Sequence, residues 1–181
     1  MRILTVSGSL RAQSSNTELL RAAALLAPAS VTVTLYDGLA SLPHFNPDLD
    51  FDGAVLPPAV QQLRAALAAA DALLISSPEY ARGVPGSLKN ALDWLVSGFE
   101  MPNKPTGLLS ASSRSLHAHA ALAETLRTMS AALVPGATVV VPLDGRRLDA
   151  AAIAADPSLA GVIRKALAAL IAEFAQRQAV H

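Results

Sequence analysis

Five short apolar runs, at residues 3–6, 31–35, 72–76, 106–109 and 138–141, punctuate the chain. Longer stretches lie between and after them, at residues 17–26, 58–69, 87–96, 120–133 and 160–177, where apolar side chains recur at helical spacing. The first pattern predicts strands and the second predicts helices. Runs that are apolar at nearly every position belong to strands covered on both faces, the mark of a parallel sheet. Strand–helix alternation with right-handed crossovers then gives a doubly wound sheet.

Boundary residues support this division. Pro58 suits a first helical position, and Pro85-Gly86-Ser87 supplies a helix start. Pro135-Gly136 is expected to end the fourth helix before the last strand. The alanine tracts at residues 65–70 and 150–155 read as helix with close packing. Five strands favour the flavodoxin-like order 2-1-3-4-5 over longer alternatives. With no repeat or linker, residues 1–181 are expected to form one domain, a three-layer α/β sandwich.

In that order a ligand crevice opens beyond the carboxyl ends of the first and third strands, with the fourth alongside. The loops at those ends span residues 7–16, 77–86 and 110–119. The first offers hydroxyls, an amide and Arg11, with no acidic residue before Glu18. Free N–H groups at a helix start, the helix dipole and an arginine fork suit a phosphate. Ser9 and Ser14 can give hydroxyls, and Ser15, Asn16 and Thr17 can give backbone N–H groups. Asn16 can equally be the helix N-cap. Neither G-x-G-x-x-G nor G-x-x-x-x-G-K-[ST] is present, which removes the dinucleotide fingerprint and the P-loop.

The second loop leaves the third strand through Ser77-Pro78-Glu79-Tyr80-Ala81-Arg82-Gly83 and enters a helix after Pro85. Tyr80 presents an aromatic plane and a hydroxyl, which a flat heterocycle needs. Trp94 is expected in the core or at an interface, and Lys89 and Asp93 are spaced to pair along the helix.

The composition narrows the field further. Lys+Arg and Asp+Glu both number 14, so no net charge draws the chain to nucleic acid or an anionic membrane. Hydrophobic residues make up 52% and charged residues 15%, which excludes disorder. There is no cysteine, so disulfides, thiolate metal sites and cysteine nucleophiles are excluded together. His117 and His119 lack local acidic companions and fall on different helix faces, so no metal is expected. Met1 leads directly into the first strand pattern, without a signal-peptide pattern, and the expected location is cytoplasmic.

Taken together, Gly8-Ser9-Leu10-Arg11, Ser14 and Asn16, with Pro78-Glu79-Tyr80 and Val84-Pro85-Gly86 through Leu88-Lys89-Asn90-Ala91-Leu92-Asp93-Trp94, resemble the NADPH-dependent FMN reductase family. Leu42-Pro43-His44-Phe45-Asn46-Pro47-Asp48-Leu49-Asp50 resembles that family's connection after the second strand, and the likeness runs in order to about residue 135. The resemblance implies FMN as cofactor and NADPH or NADH as donor. It implies that Ser9, Arg11, Ser14 and Asn16, with the Ser15 and Thr17 amides, hold the flavin phosphate. Pro78, Glu79, Tyr80 and Ala81 would line the ribityl chain and ring, with Gly83 in the same loop. Arg82 would face either the nicotinamide nucleotide's phosphates or solvent. The third loop lacks the glycines of many relatives, and Ser112 would contact the pyrimidine end of the flavin.

The implied reaction passes a hydride from NAD(P)H to FMN and then reduces a quinone, azo, flavin or similar acceptor, in ping-pong order. A G-x-S-x-G elbow is absent, against a hydrolase. The alternatives are an electron carrier or an FMN-binding module without NAD(P)H activity. Leu88, Leu92, Trp94, Leu95 and Val96 give the third helix more apolar surface than one face needs. Self-association is therefore expected, and the resemblance implies a homodimer or homotetramer.

Overall fold

The computed structural model describes residues 1–143 and 145–179. The chain runs β1 (Arg2–Ser7), α1 (Ser15–Leu26), β2 (Thr32–Tyr36), α2 (Pro58–Ala68), β3 (Ala72–Ser76) and α3 (Gly86–Asp93). It continues through β4 (Pro105–Ser110), α4 (Leu116–Thr128), β5 (Ala132–Val140), α5 (Ala150–Ala155) and α6 (Pro157–Ala179). The strands form one parallel sheet in the order β2-β1-β3-β4-β5, as the pattern predicts. Among the described residues no helix is long and apolar enough to cross a membrane.

Alternation along the strands explains the continuous apolar runs. Successive side chains point to opposite faces, and here both faces meet helices. In β1, Ile3 joins one core with Leu19 and Leu20 of α1, Ile153 of α5 and Ile163 of α6. Leu4 and Val6 join the other, with Leu67 of α2, Leu88 of α3 and Leu126 of α4. β3 divides likewise, sending Leu74 to the first core and Leu73 and Ile75 to the second. Each fully buried side chain of this size is worth about 1.5–3 kcal/mol relative to exposure.

The third helix differs from expectation. Leu88, Leu92, Trp94 and Leu95 are all buried within the chain, and only Val96 of that group is exposed. The surplus apolar surface packs internally. Trp94 sets its ring edge-on against Phe45, with centroids 5.1 Å apart, and its Nε1 donates to the Pro43 carbonyl at 2.8 Å. Asn90 accepts from the Phe45 N–H at 2.7 Å and donates to the same Pro43 carbonyl at 2.9 Å. Arg64 donates to Asp50 at 2.9 Å and to the Trp94 carbonyl. The long connection from β2 to α2 is thus pinned over α3. Lys89 and Asp93 pair as their spacing predicts.

The fourth helix also departs from the predicted bounds. It begins at Leu116 rather than residue 120 and ends at Thr128 rather than residue 133. Ser130, at φ 60°, makes the turn: its N–H donates to the Arg127 carbonyl and the Ala131 N–H to the Leu126 carbonyl. This is a Schellman stop with serine where glycine is usual. Pro135-Gly136 therefore does not end the helix but sits inside β5. The register between β4 and β5 shifts between Thr106 and Leu108. Pro135 is tolerated because β5 is an edge strand. At the shift, a Cβ on Gly107 would lie 2.9 Å from the Ala137 Cβ, so only glycine fits.

Replacing Ser130 with glycine relieves a left-handed backbone at an exposed position. Ser130→Gly is expected to raise unfolding free energy by about 0.5–1 kcal/mol in urea titration, with an unchanged m-value.

Candidate functional site

The sheet reverses its direction of growth between β1 and β3, and their carboxyl ends carry the first two loops. The loops approach closely at Gly8, whose N–H donates to the Ser76 carbonyl at 2.8 Å. A Cβ on Gly8 would stand 2.4 Å from Ser77 Oγ, so any larger residue pushes the loops apart.

Ser14, not Asn16, is the N-cap of α1; its hydroxyl accepts from the Thr17 N–H at 3.3 Å. Asn16 is buried, and its Oδ1 accepts from Ser76 Oγ at 2.9 Å, tying the first turn of α1 to the end of β3. Thr17 Oγ1 shares a 2.8 Å hydrogen bond with Ser7 Oγ. Ser9 is buried, and its hydroxyl accepts from the Arg11 N–H at 3.3 Å. These side chains satisfy one another and brace the loop. The N–H groups of Ser15 and Asn16 have no intrahelical partner. They stand at the positive end of α1 beside the exposed Arg11.

A cavity of about 560 Å³ occupies this corner, within the roughly 300–1,000 Å³ usual for small-molecule sites. Of the predicted residues, Ser9, Arg11, Ser14, Ser15 and Asn16 line it from the first loop, and Pro78 and Tyr80 from the second. Tyr80 is 49% exposed, leaving much of its side chain available. Thr17, Glu79, Ala81, Arg82, Gly83 and Ser112 lie outside the lining. A wider hollow of about 800 Å³ at the opposite end of the sheet is bounded by residues such as Asp71, Lys104 and Arg177. It holds Phe99, Phe174 and Arg177 but no helix start, and it lies away from the switch point, so the smaller cavity is the candidate.

The residues outside the lining have structural tasks. Glu79 Oε2 accepts from the Ala118 N–H at 2.9 Å, which caps the start of α4, where Ser115 makes no side-chain cap. Tyr80 and Gly83 exchange both backbone hydrogen bonds across Ala81 and Arg82. Ala81 (φ 49°) and Arg82 (φ 60°) thus form a left-handed two-residue turn without glycine or asparagine. Strain of this kind is held only where the surroundings impose it, and here it sets the Tyr80 ring at the cavity. In the third loop Ser112 accepts from the Arg114 N–H at 3.2 Å, and its carbonyl accepts from Ser110 Oγ at 2.8 Å.

One wall was not anticipated from sequence. Gly145, Arg147, Leu148 and Asp149, between β5 and α5, line the cavity together with Glu18. Glu18 Oε2 accepts from the Ala150 N–H at 2.9 Å and so ties that loop to α1. Behind the site, His119 shares a small gap with Ser77, Ile75, Leu108 and Leu122. Burial there pushes its imidazole below the usual 6.5.

Sheet order, switch-point cavity and helix-start cradle define a flavodoxin-like α/β protein with a site receptive to anions. Its family is the NADPH-dependent FMN reductases, to which the chain belongs: the family pattern matches residues 1–145. The chain is 40% identical over 121 residues to a probable NADPH:quinone oxidoreductase of Oryza sativa subsp. japonica, covering 64% of this chain and 58% of that protein. It is 40% identical over 115 residues to an NAD(P)H-dependent FMN reductase of Pseudomonas aeruginosa, covering 62% of this chain and 60% of the relative. The match thus spans less than two thirds of the length of either relative. Among solved structures, FerB of Paracoccus denitrificans, a flavoenzyme NAD(P)H:(acceptor) oxidoreductase, superposes with a TM-score of 0.78 at 26% identity over 97% of both chains.

Two measurements check this geometry. Ala81→Asn places a residue tolerant of positive φ in the turn and is expected to add about 0.5–1 kcal/mol of stability in urea titration. His119 is expected to titrate below 6.5 by NMR. The unfolded chain takes up that proton first as pH falls, so the stabilising contribution is full above 6.5 and declines below it. His119→Gln should therefore reduce the stability difference between about pH 7.5 and about pH 5.

Proposed function

We propose that this protein is an NAD(P)H-dependent FMN reductase that delivers electrons to quinone-type acceptors. The observation carrying the reading is the cradle: Arg11 and two free helix-start N–H groups line the same cavity as a half-exposed Tyr80. A phosphate at one end and a planar ring at the other fit those donors and that aromatic face.

Ser9, Arg11, Ser14, Ser15 and Asn16 would hold the phosphate, with Thr17 bracing them through Ser7. Pro78 and Tyr80 would border the ribityl chain and ring. Glu79, Ala81 and Gly83 would act by holding that loop in shape. Arg82 projects from the turn and would meet the nicotinamide nucleotide's phosphates. Ser112, in the neighbouring loop, would reach the pyrimidine end of the ring. FMN bound there supplies the two-electron redox chemistry that links NAD(P)H to an acceptor. Donor and acceptor would use the opening beside Tyr80 in turn, a ping-pong order. The choice of quinones draws on the relatives named as quinone oxidoreductases.

The protein would work in the cytoplasm as a homo-oligomer. Exposed Leu49, Phe51, Val96 and Phe99 support self-association. Asp50 accepts from Ser97 Oγ, which brings the first pair beside the second.

The test is anaerobic mixing of FMN-loaded protein with NADPH, followed by a benzoquinone. The yellow flavin band should bleach and then return. Absence of bleaching at saturating NADPH overturns the reductase reading. Arg11→Ala is expected to weaken FMN binding roughly ten- to hundredfold, the loss of a charge-assisted contact worth about 1.5–3 kcal/mol.

A further inference from the structure

Two arginines from distant parts of the chain line the cradle, Arg11 and Arg147. Both are exposed, and among the described residues neither forms an ion pair. The neighbouring Arg146 is committed elsewhere, to Asp156 Oδ2 at 3.4 Å and to the carbonyls of Pro142 and Leu143. Arg147 is thus the member of the pair that faces the cavity.

The acidic side chains on the same wall are already engaged. Glu18 gives one oxygen to Arg21 and the other to the Ala150 N–H. Asp149 Oδ1 accepts from the Ala152 N–H at 2.8 Å as the N-cap of α5. Glu18 accordingly holds the Arg147 loop against the start of α1. Meanwhile its charge is balanced by Arg21.

A phosphate monoester carries about −1.5 to −2 charges at neutral pH. One arginine and a helix dipole equivalent to roughly half a charge do not balance a full dianion. We propose that Arg147 is a second phosphate-binding arginine, joining Arg11 at the flavin 5′-phosphate from the loop between β5 and α5. This assignment rests on the FMN reading above. It makes the site selective for FMN over riboflavin by means of a loop outside the first two loops of the fold.

The test compares FMN and riboflavin binding, by quenching of flavin fluorescence, in the intact protein and in Arg147→Ala, Arg147→Lys and Arg164→Ala. Arg164 lies exposed on α6 and controls for loss of one positive charge. Arg147→Ala should weaken FMN roughly ten- to thirtyfold and leave riboflavin within about twofold; Arg147→Lys should recover part of the loss. The salt dependence of FMN affinity should also flatten in the alanine variant. Equal losses for both flavins indicate a packing role and overturn the proposal, as does no loss for either. A defect confined to the KM for NADPH relative to NADH would assign Arg147 to the nicotinamide nucleotide's phosphate instead. Should the unmodified protein bind neither flavin, the FMN reading itself falls, a result distinct from any behaviour of the variant.

Discussion

Burial of the sheet on both faces is the constraint from which the rest follows. Helices cover β1, β3 and β4 on either side, so a polar side chain within those strands must be satisfied inside the protein, as Thr5 is by the Thr34 carbonyl, and meets an opening only at the strand ends. The three strands each finish on serine: Ser7, Ser76 and Ser110, at 8%, 0% and 4% exposure. Each hydroxyl carries the hydrogen bonding beyond the ladder, Ser7 and Ser76 to Thr17 and Asn16 in the first turn of α1 and Ser110 to the Ser112 carbonyl in the third loop. The carboxyl edge is therefore the place where backbone donors can be presented without being consumed by the sheet. The cavity lies at that edge, where β1 and β3 diverge.

The same economy shapes the loops. Ser14, Asn16, Thr17 and Glu79 make hydrogen bonds, near and far along the chain, that stiffen the backbone, so the groups left over already stand in place. Those groups are two helix-start N–H donors, the Tyr80 ring and the arginines. A site fixed before the ligand arrives loses less entropy on binding. The left-handed Ala81–Arg82 turn fits this picture, because its strain is held by paired backbone bonds between Tyr80 and Gly83.

Much of this was legible in the sequence because strand burial writes itself as continuous apolar runs. All five strands were readable on that ground and their order followed from their number, while the first loop was readable from hydroxyls and an arginine that precede a helix with no acid among them. The end of α4 was not, since Leu133 and Val134 prolong the apolar pattern and Ser130 gives no glycine signal for the stop. Pro135-Gly136 misled for a related reason: a bulged edge strand tolerates the same residues as a helix terminus. The motif around Asn90 and Trp94 was legible as a family mark, but its side chains clamp residues 43–45 and do not line the cavity. The wall at residues 145–149 escaped because the switch-point rule points to the first and third strands, whereas this loop follows the fifth. The paired Arg146 and Arg147 after Gly145 were its one local signal.

The bond from Glu18 to the Ala150 N–H joins residues 132 positions apart. A chain emerging from the ribosome therefore possesses the first loop early but cannot brace it until part of the last quarter has been made. Until then α1 also lacks α5 and α6, which share its core. The parallel ladder has the same character, as β3 and β4 join only after long crossovers. Cofactor capture during synthesis would thus come late, and a nascent chain stalled short of α5 would expose an apolar face that invites chaperones before it could hold a ligand.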